Sequence, residues 1–468
     1  MPSATSLPNA TCAHSQDASA PVPSVVPAPV ASTVPAPAPA LTPALFPFAR
    51  TCPFDPPPQY AVARAAGPVC AVTLWNGQRA WLVTRHAEIR AVLSDDKRFS
   101  GAMAHPSFPT VTAARVAVDK NERAFVGMDN PAHDAYRRLF TREFSVRRMQ
   151  ALKPAISAIA EQLIDELMAQ GAQGAPVDLV PALAVKFPSL VMSALFGSPY
   201  EDHQFIIRCA VARHGLTQSV AEAESKAREL AAYVRRLIDV KEQHPGDDMV
   251  SRIIEEHVKP GRLSRDDFAE IGAMILRAGH DTTTNMIGMG TLLLLQHEAM
   301  CQKLAANPAL IEGAVEELLR LITPVQFSPR RVALEEVEIG GVTIPKGEGL
   351  FMLLASANRD EALFAEPDHF DVERDASQHL AFGFGIHQCL GQMLARYELH
   401  IVFEALLRRL PGLRLAVPLD HIRFKHDMQI YGVHNLPLRW RAAGTAQTTQ
   451  QTTQQTTQQA EQTQQATP

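Results

Sequence analysis

The chain has 468 residues, 46% hydrophobic and 20% charged, the composition of a globular protein with a sizeable core. A net charge of -5 over that length excludes a basic field for nucleic acid and a polybasic anchor for a membrane. The six cysteines, at 12, 52, 70, 209, 301 and 389, form no C-x-x-C pair, so a disulfide framework is not expected and a reducing interior suits them.

In chain order, residues 1–44 are rich in Pro, Ala, Ser and Val and favour extended, solvated backbone, so they are expected to be a disordered tail. No lysine or arginine precedes Arg50 and prolines interrupt each apolar run, which is not the pattern of a signal peptide. The spacing of Val72–Val83 predicts a hairpin with Asn76-Gly77 as a two-residue turn. Ile156, Ile159, Leu163, Ile164 and Leu167 recur at helical spacing until Gly171. Ser264, with Asp267 three residues on, can cap a helix that continues without proline to about His297, on the order of 50 Å.

That helix is apolar on most faces in its second half, so it reads as central and buried. Its longest apolar stretch, Met286–Leu295, is broken by glycines and too short to span a membrane. Val337–Ile344 predicts a second hairpin about Gly340-Gly341, and a further helix is expected from Leu390 to Leu410. Residues 443–468 are a Gln/Thr-rich tract, again expected to be disordered, which leaves 45–442 as the working body. No βαβ alternation and no G-x-G-x-x-G after a strand is present, so a Rossmann fold is unsupported. The fold class expected is mainly α with small β-sheets, in a soluble, cytoplasmic, monomeric protein.

The stretch Phe382-Gly383-Phe384-Gly385-Ile386-His387-Gln388-Cys389-Leu390-Gly391 delivers one cysteine to the start of the last long helix. Glycines there let backbone approach a flat ligand, and the helix N-terminus favours thiolate over thiol. A thiolate is the ligand through which an iron can push electron density toward bound oxygen. The pattern F-G-x-G-x-H-x-C-x-G resembles the heme-binding loop of the cytochromes P-450. This resemblance implies the cytochrome P-450 fold, with its long central helix over a heme b (iron protoporphyrin IX). It makes Cys389 the metal ligand, with Phe382, Gly383, His387 and Gly391 at the cofactor.

Three further stretches resemble the same family. Glu317-Leu318-Leu319-Arg320 is similar to its structural pair beneath the heme loop, and His369 in Pro367-Asp368-His369-Phe370 stands where the family carries an arginine. Ala278-Gly279-His280-Asp281-Thr282-Thr283 resembles the oxygen-binding segment, with Ala278 and Gly279 against the cofactor and Asp281 with Thr282 as the catalytic acid–alcohol pair. The stretch from Asp129 to Arg138 resembles D-P-P-x-H-x-x-x-R-R, with Asn130 in place of a proline. His133 and Arg137, one helical turn apart, are thereby implied to hold a heme propionate, joined by Arg331 and His387. The resemblance covers about Phe46 to Trp440 and is nearest to the soluble bacterial hydroxylases of actinobacterial type.

What it implies is a monooxygenase acting on a small, apolar organic substrate with O2. The chain carries no flavin or iron–sulfur motif, so electrons are expected from a separate ferredoxin or flavoprotein docking near Arg137, Arg138 and the His387-Gln388 side. The alternative is a nitric oxide reductase of the fungal P-450 type, which takes NADH or NADPH directly. The residues Gly101–Val118 hold few basic groups to receive a dinucleotide, and Asp281 supplies an acid such reductases lack. A non-catalytic heme protein binding a small gas is the third reading. The substrate lining is expected near Gly101–Val118, Phe205–Glu224, Met274–Gly279, Val325–Pro329 and Met428–Val433.

Overall fold

The computed structural model describes residues 44–211 and 219–441. Both low-complexity tails, and part of the Phe205–Glu224 lining segment, lie outside the described residues.

The predicted central helix runs Arg265–Leu295, about 47 Å at 1.5 Å per residue. Ser264 caps it: its hydroxyl accepts from the Asp267 amide at 3.0 Å and donates to the Asp267 carboxylate at 2.7 Å. From Phe268 to Leu294 every residue is buried except Glu270, Ala278, Gly279 and Thr282. Such a helix can be apolar all round only because others enclose it. Those neighbours are Lys186–Phe196, His203–Val211, Val220–Gln243 and the last long helix, Gln392–Arg409. The helix Val146–Gln170 packs behind them and stops at Gly171, as its sequence predicts; a Cβ at Gly171 would lie 2.3 Å from the Trp440 ring.

Among the described residues ten short strands complete the fold. Strands β1 (Val69–Thr73), β2 (Arg79–Val83), β3 (Phe99–Ser100), β5 (Arg330–Ala333) and β8 (Gly349–Met352) form one sheet in the order β1-β2-β8-β5-β3. Only the β2–β8 pair in it is parallel. Strands β4 (Val177–Asp178), β10 (Pro437–Arg439) and β9 (Arg414–Leu415) form a second, antiparallel sheet. Strands β6 (Val337–Ile339) and β7 (Val342–Ile344) pair through Gly340 and Gly341, with φ of 57° and 81°, the two-residue turn predicted. The first hairpin differs. Thr73 pairs with Arg79, so Leu74–Gln78 form a five-residue connection, closed by Leu74 N–H to Gln78 O at 2.8 Å. Asn76-Gly77 lies inside it, because the strand pairing ends before the side chains reach a tight turn.

The five-stranded sheet has an apolar cluster on each face: Val83, Leu350 and Met352 on one, Ala80, Leu82 and Phe351 on the other. The large helical core is separate. Phe382 packs on the helical core and Phe384 on the sheet, so the cysteine loop joins the two. Of the cysteines among the described residues, Cys70, Cys209, Cys301 and Cys389 are free thiols. Among the described residues no helix is long and apolar enough to cross a membrane.

Candidate active site

The cysteine loop is shaped by two glycines in the left-handed region, Gly383 (φ 69°) and Gly385 (φ 73°). Gly385 has a second constraint, since a Cβ on it would fall 2.0 Å from the Leu93 carbonyl oxygen. A short turn, Gly385–His387, follows, and the Cys389 amide then donates to Phe382 O at 2.9 Å, closing the loop on itself. The last helix begins at Gln392, which leaves Cys389 just before its first turn. Its side chain is accessible, yet the protein around it is dense enough to desolvate it. Burial pushes the thiol up; the Gly391 amide and the Arg137 and Arg396 guanidiniums act the other way without overcoming it. A coordinated metal cation reverses that balance, because it deprotonates a thiol outright.

Two ion-pair systems brace the loop from below. Glu317 and Arg320, both 0% exposed, pair through two bonds of 2.6 and 2.8 Å. Arg320 also donates to the carbonyls of Asn358 (2.8 Å) and Pro367 (2.7 Å), so its remaining donors are used. Asn358 Oδ1 in turn accepts from Leu380 N–H at 2.7 Å, carrying the brace to the loop's entrance. His369, expected as the third member, is not one: its side chain is exposed, and Arg320 and Arg374 reach its backbone carbonyl instead. Arg374, five residues on, takes the place, with Nε 3.2 Å from Glu317 Oε1. The chain turns at His369, so the shorter side chain points outward while Arg374 reaches back.

The second system was not foreseen. Glu316 accepts from Arg396 Nε (2.7 Å), Arg396 Nη2 (2.8 Å) and His379 Nε2 (3.1 Å). Burial would raise this carboxyl, but His379 and Arg396 outweigh it and bring it down to about 2. Arg396 also lies 4.6 Å over the Phe382 ring. The only signal in the sequence was a second glutamate beside Glu317.

Above the loop, elements far apart in sequence bring basic side chains together. His133, on the helix Ala132–Thr141, has its ring 4.4 Å from that of His387. A Cβ on Gly101 would lie 3.0 Å from His387 Nε2 and 3.3 Å from Arg331 Nη1, which places Arg331 of β5 in the same group. Arg137 instead grips the loop, donating from Nη2 to Gln388 O at 2.6 Å. Burial, then the neighbouring Arg331, His133 and Arg137, hold His387 down at about 2. Burial brings Arg331 down to about 10, opposed by Asp129. Nε2 of His133 and of His387 are both buried without a hydrogen-bond partner. Clustered donors with orphaned nitrogens are what an incoming pair of carboxylates would satisfy, so these residues fit the propionates of a heme.

The accessible positions in the middle of the central helix, Ala278, Gly279 and Thr282, form a small-residue window on one side. Thr282 Oγ1 donates to Ala278 O at 3.0 Å. Asp281 is 1% exposed, and its Oδ1 accepts from Asn285 Nδ2 at 3.1 Å. Next to it, Thr283 Oγ1 donates to Glu398 at 3.2 Å, a carboxyl that burial pushes well above its usual range despite that bond. Of the expected lining, Val325–Pro329 and Met428–Val433 meet through a Val325–Ile430 bridge and a 3.0 Å bond from Gln326 N to Gln429 O.

An accessible cysteine, a buried helix whose middle is bared at small residues and threonine, and a donor cluster lacking its acceptors define a heme-thiolate oxidoreductase. The comparisons with known proteins agree. The Cytochrome P450 family profile matches residues 207–411. Cytochrome P450-SU2 of Streptomyces griseolus is 45% identical over 389 residues, 83% of this chain and 94% of its own length. Vitamin D3 dihydroxylase of the same species is 38% identical over 398 residues, 84% of this chain and 96% of its own. The crystal structure of cytochrome P450 MoxA from Nonomuraea recticatena superposes with a TM-score of 0.79 at 44% identity, over 85% of this chain and 98% of that one. This chain belongs to the cytochrome P450 family, and it is a heme enzyme of the oxidoreductase class.

Proposed function

We propose that the enzyme hydroxylates a small, apolar organic substrate with O2, holding heme b on Cys389 and receiving electrons from a separate ferredoxin or flavoprotein. The observation that carries this reading is the window on the central helix: Ala278, Gly279 and Thr282 are bared with the Asp281 carboxylate immediately beside them. When bound, the heme supplies the redox centre at which dioxygen is cleaved. With its proton committed to Ala278 O, the Thr282 oxygen presents lone pairs to the cleft and can accept from a water there. Asp281 can hand a proton to that water and be recharged, which scission of dioxygen requires.

His133, Arg331 and His387 would hold the propionates, with Arg137 securing the loop behind them. The basic face around Arg137 and Arg138 suits an acidic redox protein; Arg138 is 78% exposed and paired with Asp134 at 3.0 Å. A dinucleotide, in contrast, finds little in Gly101–Val118. Arg115 there is buried and held by Asp119 at 2.7 Å. Apolar side chains of the Val325–Pro329 and Met428–Val433 segments suit an apolar substrate, in keeping with the name of the S. griseolus dihydroxylase.

The test is anaerobic NADH or NADPH oxidation by the heme-loaded protein with nitric oxide and no redox protein. No consumption, with product formed only when ferredoxin, its reductase and O2 are supplied, is the expected result. Rapid consumption with nitrous oxide released overturns the proposal in favour of direct hydride transfer.

A further inference from the structure

Asp281, Asn285 and Gly288 follow one another at helical spacing on the central helix, about a quarter-turn from the side that bares Ala278, Gly279 and Thr282. The C-terminal turn of the domain packs against that side. A Cβ on Gly432 would fall 1.9 Å from Asn285 Oδ1, and one on Gly288 would fall 2.9 Å from Val433 Cγ2. This close approach lets a lysine reach in. Lys425 Nζ donates to Asn285 Oδ1 at 2.8 Å, and Asn285 Nδ2 donates to Asp281 Oδ1 at 3.1 Å and to Asp281 O at 2.8 Å.

Lys425 is 7% exposed, and no carboxylate among the described residues lies within ion-pair distance of it. A buried ammonium is costly unless an opposite charge answers it. Burial lowers Lys425, and the carboxylate that acts against this is Asp281. The other charged groups nearby, Arg423, Asp427 and His434, stand on the turn's own chain, and His434 is held down by burial and by Lys425. One amide therefore separates a cation from the Asp281 carboxylate. A cation on the amide oxygen polarises the group and strengthens the N–H that Asp281 accepts.

The same lysine is built into the substrate-facing turn. Its backbone N–H donates to Gly432 O at 2.9 Å, Tyr431 N–H donates to Pro324 O at 2.8 Å, and Phe424 bridges to Val433. The tip of that turn, Met428–Ile430, is the segment joined to Val325–Pro329.

We infer that Lys425 is a positioning residue for proton delivery: acting through Asn285, it holds the Asp281 carboxylate in one orientation and in the ionised form that can be recharged, and it ties that state to the placement of the Lys425–Val433 turn. The inference rests on the reading of Asp281 as the proton donor. A cation favours the ionised form of a nearby carboxyl. Removing it therefore raises the hold of Asp281 on its proton, so that the weaker acid gives the proton up to the cleft less readily.

The experiment is an infrared titration of the Asp281 carboxyl band in the heme-loaded enzyme, with Asp281→Asn subtracted to assign it. Lys425→Met should move the titration upward by about one pH unit or more, and Lys425→Arg should restore it. Lys425→Gln keeps a donor and removes the charge, so it should shift the same way and serves if Lys425→Met does not fold. An unmoved titration in the lysine variants overturns the inference. The reading of Asp281 is tested apart from it, by the share of reducing equivalents that ends as peroxide in Asp281→Asn. An unchanged share there overturns the role of Asp281, whatever the titration shows.

Discussion

Arg374 Nε lies 3.2 Å from Glu317 Oε1, on a carboxylate that is already fully buried against Arg320. The pair is a triad, and its third member comes from the segment after the turn at His369. Removing Arg374 leaves a buried carboxylate short of a donor and takes a donor from the carbonyls of Ala365 and Glu366. Arg374→Ala should cost about 2–4 kcal/mol of stability, near the range for breaking a buried pair. His369→Ala, at an exposed side chain, should stay within about 0.5 kcal/mol. Chemical denaturation of the two variants side by side decides the matter; equal effects would restore His369 to the brace.

Glu316 predicts how the cysteine loop responds to acid. Its folded value of about 2 lies below the ordinary carboxylate value, so its contribution is present above about 4.5 and is lost as pH falls toward 2. A shift of this size is worth about 3 kcal/mol. Glu316→Gln should therefore lower stability by roughly that amount at pH 7 and by less than half of it at pH 3, measured by denaturant unfolding at the two values. A deficit that is the same at both pH values would show that geometry, not charge, sets the role of Glu316.

The histidine pair makes heme retention depend on pH. His133 and His387 are both held down, first by burial and then, for His387, by the cations around it. Carboxylates placed among them would raise both, so heme binding should take up protons and weaken as pH rises. His387→Ala should weaken retention by about 2 kcal/mol, roughly thirtyfold, the worth of a charge-assisted hydrogen bond. Transfer of heme to an excess of apomyoglobin reads this directly, and a rate unchanged from the parent would remove His387 from the site.

Thr282→Ala should leave heme binding intact and divert reducing equivalents to peroxide, because the lone pairs it offers to the cleft are lost while the helix keeps its own bonds. An effect of tenfold or more on the ratio of product to peroxide is expected, in the range usual for a group that assists proton transfer. A ratio equal to the parent's would show that Thr282 serves only to bend or space the helix.

Much of this was legible in the residues themselves. The capped, proline-free run from Ser264, the Gly340-Gly341 turn and the glycine spacing about Cys389 are local signals, and each acts within a few residues of itself. For that reason the central helix and the cysteine loop could be placed before any coordinate was known. Composition and the absence of a βαβ rhythm determined the fold class in the same way, since periodicity reports which faces are buried.

Only the tertiary structure decided the rest. The length of the first hairpin connection depended on where β1 stops pairing with β2, which a favourable Asn-Gly pair does not control. Arg374 in place of His369 depended on the direction of a turn, which no spacing encodes. The Glu316–Arg396–His379 brace and the Lys425–Asn285–Asp281 chain depend on bonds between residues 63 to 140 positions apart. A charge in sequence is more often a solvated face than a buried partner. Folding settles which it is, because desolvation makes an unanswered charge too costly to keep in the core.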